Sequence, residues 1–133
     1  MDTKSLEIEI DCYTDASYSQ QKSTSIIAYK IQNNPIKTIE FKDIKNTQAE
    51  LLGIEFCIGY TIQNYSNVKI INIYTDCQNA WKQNYSNYKN HKQNQILINL
   101  IKIKGHQQME LMNGYDLIFK QVDKIARKTL RNL

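Results

Sequence analysis

Apolar and polar positions along the chain alternate in period between strand and helix. Ile8–Thr14 is dense in β-branched and aromatic residues, and turn formers follow through Gln21, which predicts a first strand. Ser25–Ile31 predicts a second, Asn33-Asn34-Pro35 a turn, and the alternating Ile36–Phe41 a third. The connections are too short for helical crossovers, so these three strands are expected as an antiparallel meander. Thr47-Gln48-Ala49-Glu50 fits a capping box, with Thr47 at the N-cap and Glu50 in the first turn. Ala49, Leu52, Gly53, Phe56 and Tyr60 then share one helical face. Leu51, Ile54 and Ile58 extend the apolar surface, and the helix should end near Asn64–Asn67.

Lys69–Tyr74 is Ile-rich, bounded by polar residues and preceded by a helix, which predicts a parallel interior strand. A short helix carrying Ala80 and Trp81 should follow Asp76. Tyr85–Gln95 reads as loop, Ile98–Lys104 as a strand, and Gly105–Tyr115 as turn-rich. Phe119, Val122, Ile125, Ala126 and Leu130 are spaced for a last helix. The order β-β-β-α-β-α-β-α predicts an α/β domain, a mixed sheet with helices packed on it, spanning residues 1–133.

With 133 residues the chain can bury a real core, and 41% hydrophobic and 23% charged residues suit a globular domain. Cys12, Cys57 and Cys77 form no CxxC and leave an odd count, which points away from a disulfide framework or a zinc site. Met1–Glu9 carries acids and lacks a long apolar stretch, and no run is long enough to span a bilayer. A cytoplasmic, nuclear or viral location, without membrane association, is expected.

The net charge of +4 gains meaning from where the acids fall. Asp15 and Asp76 each close an apolar, β-branched run, Glu50 lies in a helix's first turn, and Asp123 lies near the start of the last helix. Asp11 shares a strand face with Asp15 but does not end the strand. Four carboxylates delivered by two strands and two helices make a hard, all-oxygen donor set suited to Mg2+. Each also has a structural reading. Asp15 could start a turn, Glu50 could complete the capping box, and Asp123 could complement the helix dipole. Acids gathered into one pocket would leave a more basic exterior, which suits a polyanionic substrate.

Taken together, several segments resemble the type 1 ribonuclease H family. YTDAS at Tyr13–Ser17 is similar to its first motif. NTQAELLGI at Asn46–Ile54 is similar to the second, and IYTDCQNAW at Ile73–Trp81 to the third. KGH at Lys104–His106 resembles the family's histidine loop, and QVDKIARKTLR at Gln121–Arg131 the final motif. The order of elements is also the family's. The resemblance implies a five-stranded mixed sheet, three antiparallel strands then two parallel, with helices on both faces. It implies hydrolysis of the RNA strand of RNA/DNA hybrids with two Mg2+ ions, Mn2+ substituting, leaving 3′-hydroxyl and 5′-phosphate ends. Asp15, Glu50, Asp76 and Asp123 would be the metal ligands, and His106 a further catalytic residue assisting product release or proton transfer. Ala16, Ser17, Asn46, Thr47 and Gln48 would touch the substrate.

Only Cys77–Ile103 separates the third motif from the histidine loop, so the chain resembles compact members without a basic insertion. An accessory domain or protein supplying nucleic-acid affinity to an otherwise monomeric chain is then expected. The alternatives are a hybrid- or duplex-binding module of the same fold that is weak or inactive in catalysis, or the nuclease part of a reverse-transcription system.

Overall fold

The computed structural model describes residues 8–82, 89, 94–103 and 114–133, leaving aside the side chains of Trp81 and Lys82. Five strands form one mixed sheet: β1 (Glu9–Ser19), β2 (Thr24–Ile31), β3 (Lys37–Lys42), β4 (Ile70–Thr75) and β5 (Leu97–Lys102). Their spatial order is β3-β2-β1-β4-β5. The β1–β2 and β2–β3 pairs are antiparallel, and the β1–β4 and β4–β5 pairs are parallel. Helix α1 (Asn46–Asn64) connects β3 to β4, and α2 (Gly114–Arg131) ends the chain. The short helix expected after Asp76 is a 3-10 helix, Gln78–Lys82.

Side-chain alternation along β1 and β4 divides the core in two. Ile10, Cys12, Ile71 and Ile73 pack against Ile54, Cys57 and Ile58 of α1. Tyr13, Tyr74, Ile26 and Ala28 pack against Phe119, Val122, Ala126 and Leu130 of α2. The two helices therefore cover opposite faces of the sheet. The α2 residues fall at 3-4 spacing, as an amphipathic helix on a sheet requires. Below the α2 core, Asn72 donates to Glu9 Oε2 at 2.6 Å and to Asp11 Oδ1 at 3.0 Å. Asn99 donates in turn to Asn72 Oδ1 at 2.9 Å.

Three boundaries that bear on the acids differ from expectation. β1 runs on to Ser19, with Asp15 opposite Ala28, so Asp15 is mid-strand and not at a strand end. Continued pairing with β2 outweighs the turn-forming residues after Asp15. Helix α1 begins at Asn46 with Lys45 as N-cap and no side-chain cap, so Thr47 and Glu50 form no capping box. Helix α2 begins at Gly114, which places Asp123 in its middle and removes the dipole reading of that acid. Among the described residues, no helix is long and apolar enough to cross a membrane.

Candidate metal centre

The last paired residues of the parallel β1–β4 ladder are Tyr13 and Tyr74. Beyond them β1 stays with β2 while β4 ends, and the sheet opens between the two strands. This is the carboxyl end of parallel strands beside a reversal of strand order, where open α/β sheets place ligands. Asp15 lies on one side of the opening, two residues past Tyr13, and Asp76 on the other, two past Tyr74. Glu50 reaches it from the first turns of α1. Oxygens of Asp15, Glu50 and Asp76 all lie within 4.8 Å of one another, an arrangement that could hold a metal ion.

These carboxyls are crowded and poorly hydrated. Asp15 is only 5% exposed. Burial pushes its carboxyl up to about 10, reinforced by a hydrogen bond with Asp123 and by the charges of Asp76 and Asp123, while the Ala16 backbone pulls the other way. Burial also raises Asp76, against a hydrogen bond from Asp15 that lowers it. Without a metal, a proton on Asp15 thus holds the acids together. Asp76 Oδ1 is buried and has no hydrogen-bond partner among the described residues. An orphaned carboxylate oxygen on a residue clustered with two further carboxyls fits a hard cation, since it costs free energy until something positive meets it.

Glu50 is raised by burial, with hydrogen bonds from Cys77 and Asn46 acting against this. Asn46 Nδ2 donates to Glu50 Oε1 at 3.1 Å. The Cys77 thiol, pushed up to about 11 by burial and by the adjoining Glu50, donates from another side. Asn46, expected to touch the substrate, is the first residue of α1 and contacts Glu50. Nothing in the sequence points to the Cys77–Glu50 contact except the place of Cys77 directly after Asp76.

Asp123 is outside the group of three but adjoins it through Asp15. Its Oδ2 accepts from Arg127 at 2.7 Å, and the Asp123 side chain is 32% exposed. This i,i+4 pair was legible once the helix was placed. Asp11 is engaged by Asn72. Ala16 and Ser17 continue β1 past Asp15 and are partly exposed, while Thr47 and Gln48 are exposed in the first turn of α1. His106 lies outside the described residues, as do Lys104 and Gly105 of its motif and His91. No protein-family model matches the chain, and no curated protein does either.

Proposed function

We propose that this chain is a metal-dependent ribonuclease H, an endonuclease that hydrolyses the RNA strand of RNA/DNA hybrids, with a ribonuclease H-like fold. The observation that carries the reading is the meeting of Asp15, Glu50 and Asp76 at the open end of β1 and β4, with Asp76 Oδ1 unpartnered among the described residues. The resemblance of the segments bearing these acids to the family's ordered motifs supports the same reading. So does the sheet order, three antiparallel strands followed by two parallel.

Asp15, Glu50 and Asp76 would hold Mg2+, with Asp123 alongside Asp15. When bound, a pair of such ions would neutralise phosphate charge, lower the pKa of the attacking water and stabilise the leaving 3′ oxygen. The chain's own part is preparation. Asp15 gives up its proton so that its carboxylate is free. Asn46 and Cys77 fix Glu50 from two sides, which limits the reorganisation needed at the moment of reaction. Asn46 spends an amide N–H on Glu50 and keeps its Oδ1 as an acceptor. Together with exposed Thr47 and Gln48, that acceptor can receive a 2′-hydroxyl and so distinguish RNA from DNA.

The test is direct. A labelled RNA/DNA hybrid should be cut in Mg2+ or Mn2+ and spared in EDTA, with new 5′-phosphate ends on the RNA. A DNA duplex of the same sequence should survive. A hybrid left intact in both metals would overturn the reading.

A further inference from the structure

The two main helices differ in charge. Helix α1 carries no lysine or arginine. Helix α2 carries Lys120, Lys124, Arg127, Lys128 and Arg131. Four of these, Lys120, Lys124, Arg127 and Arg131, recur at i, i+4, i+7 and i+11, so they form one stripe along the helix. All four are exposed, while Phe119, Val122, Ala126 and Leu130 hold the opposite side to the sheet. At about 1.5 Å per residue the stripe is about 16 Å long, on the order of five nucleotide steps of one strand. It also abuts the acids, because Arg127 is paired to Asp123 and Asp123 is hydrogen-bonded to Asp15. Lys22 is not part of it, since its ammonium is spent on the carbonyls of Leu130, Arg131 and Leu133.

We infer that this stripe is the surface on which the phosphate backbone of a nucleic-acid duplex lies as one strand enters the acidic centre. A row of cations beside a pocket of carboxylates needs a partner that is polyanionic and has one position meeting a metal. A duplex backbone meets both conditions, and a soluble mononucleotide would leave most of the stripe unused. The inference rests on the hybrid-cleavage reading for the identity of the duplex. Its contacts are electrostatic and independent of sequence.

The test is fluorescence anisotropy with a labelled RNA/DNA hybrid across a salt series, in an Asp76→Asn background. Lys120→Gln/Lys124→Gln/Arg131→Gln removes three cations without touching Arg127 and substitutes residues of similar helix propensity. A charge-matched control, Lys37→Gln/Lys69→Gln/Lys89→Gln, alters exposed cations outside α2. The α2 variant should bind roughly tenfold or more weakly at ~0.1 M salt, with its slope of log K against log salt reduced by about 0.9 for each phosphate it no longer neutralises. The control should keep the parent slope. An unchanged slope in the α2 variant, or an equal loss in the control, would overturn the inference. Hybrid bound through the stripe but never cut by the unmutated protein would support the surface and remove the hydrolase reading. Hybrid cut normally, with binding by the α2 variant unaffected, would do the reverse.

Discussion

Gly53 of α1 lies against Thr14 of β1 so closely that a Cβ added to the glycine would stand 2.5 Å from the Thr14 hydroxyl and 3.0 Å from Ile27 Cγ2. The helix is seated at this contact, about one turn past Glu50. Gly53→Ala should push α1 off the sheet. Overpacking costs about 1–3 kcal/mol, against a propensity gain of roughly 1 kcal/mol for removing a helical glycine. Because Glu50 rides on the same helix, Mn2+ binding should weaken together with the urea midpoint. A midpoint raised above the parent's, as the propensity gain alone would give, would show that α1 is not held by this contact.

Asp76→Asn separates fold from site. The carboxylate sits half-buried among other acids, and its Oδ1 has no partner among the described residues. Replacing it removes like-charge repulsion, so without metal the variant should melt at or above the parent temperature. A ligand at a hundred times its Kd stabilises by about 2.7 kcal/mol, so Mn2+ should raise the parent's melting temperature. That rise, and cleavage of hybrid, should vanish in the variant. A full Mn2+-induced rise in Asp76→Asn would remove Asp76 from the site.

The strand pattern and the acids were legible because both rest on local signals. Ile70–Thr75 is rich in β-branched residues and ends directly before Asp76, so the local strand signal alone locates that carboxylate. What escaped depended on contacts distant in sequence. The turn-forming residues after Asp15 suggested a strand end, but pairing of Ala16–Ser19 with Thr24–Ile27 continues β1. Thr47 and Glu50 fit a capping box, yet tertiary placement of α1 turns Glu50 to the opening, where Asn46 and Cys77 hold it. Lys22 offers no signal in sequence for its role, since the carbonyls it meets lie more than a hundred residues away.

Lys22 closes the C-terminal end of α2. Its Nζ donates to Leu130 O at 2.9 Å, to Leu133 O at 3.3 Å and to Arg131 O at 3.4 Å. Leu130 O also accepts from the Leu133 backbone N–H at 3.3 Å, so the ammonium shares that carbonyl, and a cation there also meets the negative end of the helix dipole. Lys22→Met keeps the aliphatic stem and removes the ammonium. The loss should be about 1 kcal/mol, a fall of about 3–5 °C in melting temperature, reduced at high salt. The same melt in both salts tests this, and an unchanged temperature at low salt would show that the contact contributes nothing.

The metal-free protein should lose stability as pH rises, opposite to the usual carboxylate effect. Asp15 keeps its proton in the folded state up to about 10, whereas its ordinary value is 3.8. Between these limits the folded state binds a proton that the unfolded state has released, so the slope of stability against pH is negative. The contribution is complete below the lower value and is lost progressively as pH climbs through the folded one. Burial moves Glu50 and Asp76 in the same direction. Bound metal replaces that proton, so stabilisation by Mn2+ should grow over the same range. Melts from about pH 6 to about pH 8.5 in EDTA should therefore fall, and the gap to the Mn2+ curve should widen. Asp15→Asn isolates the cause, since an amide does not titrate and the decline should flatten. A decline as steep in Asp15→Asn as in the parent would place the proton on another group.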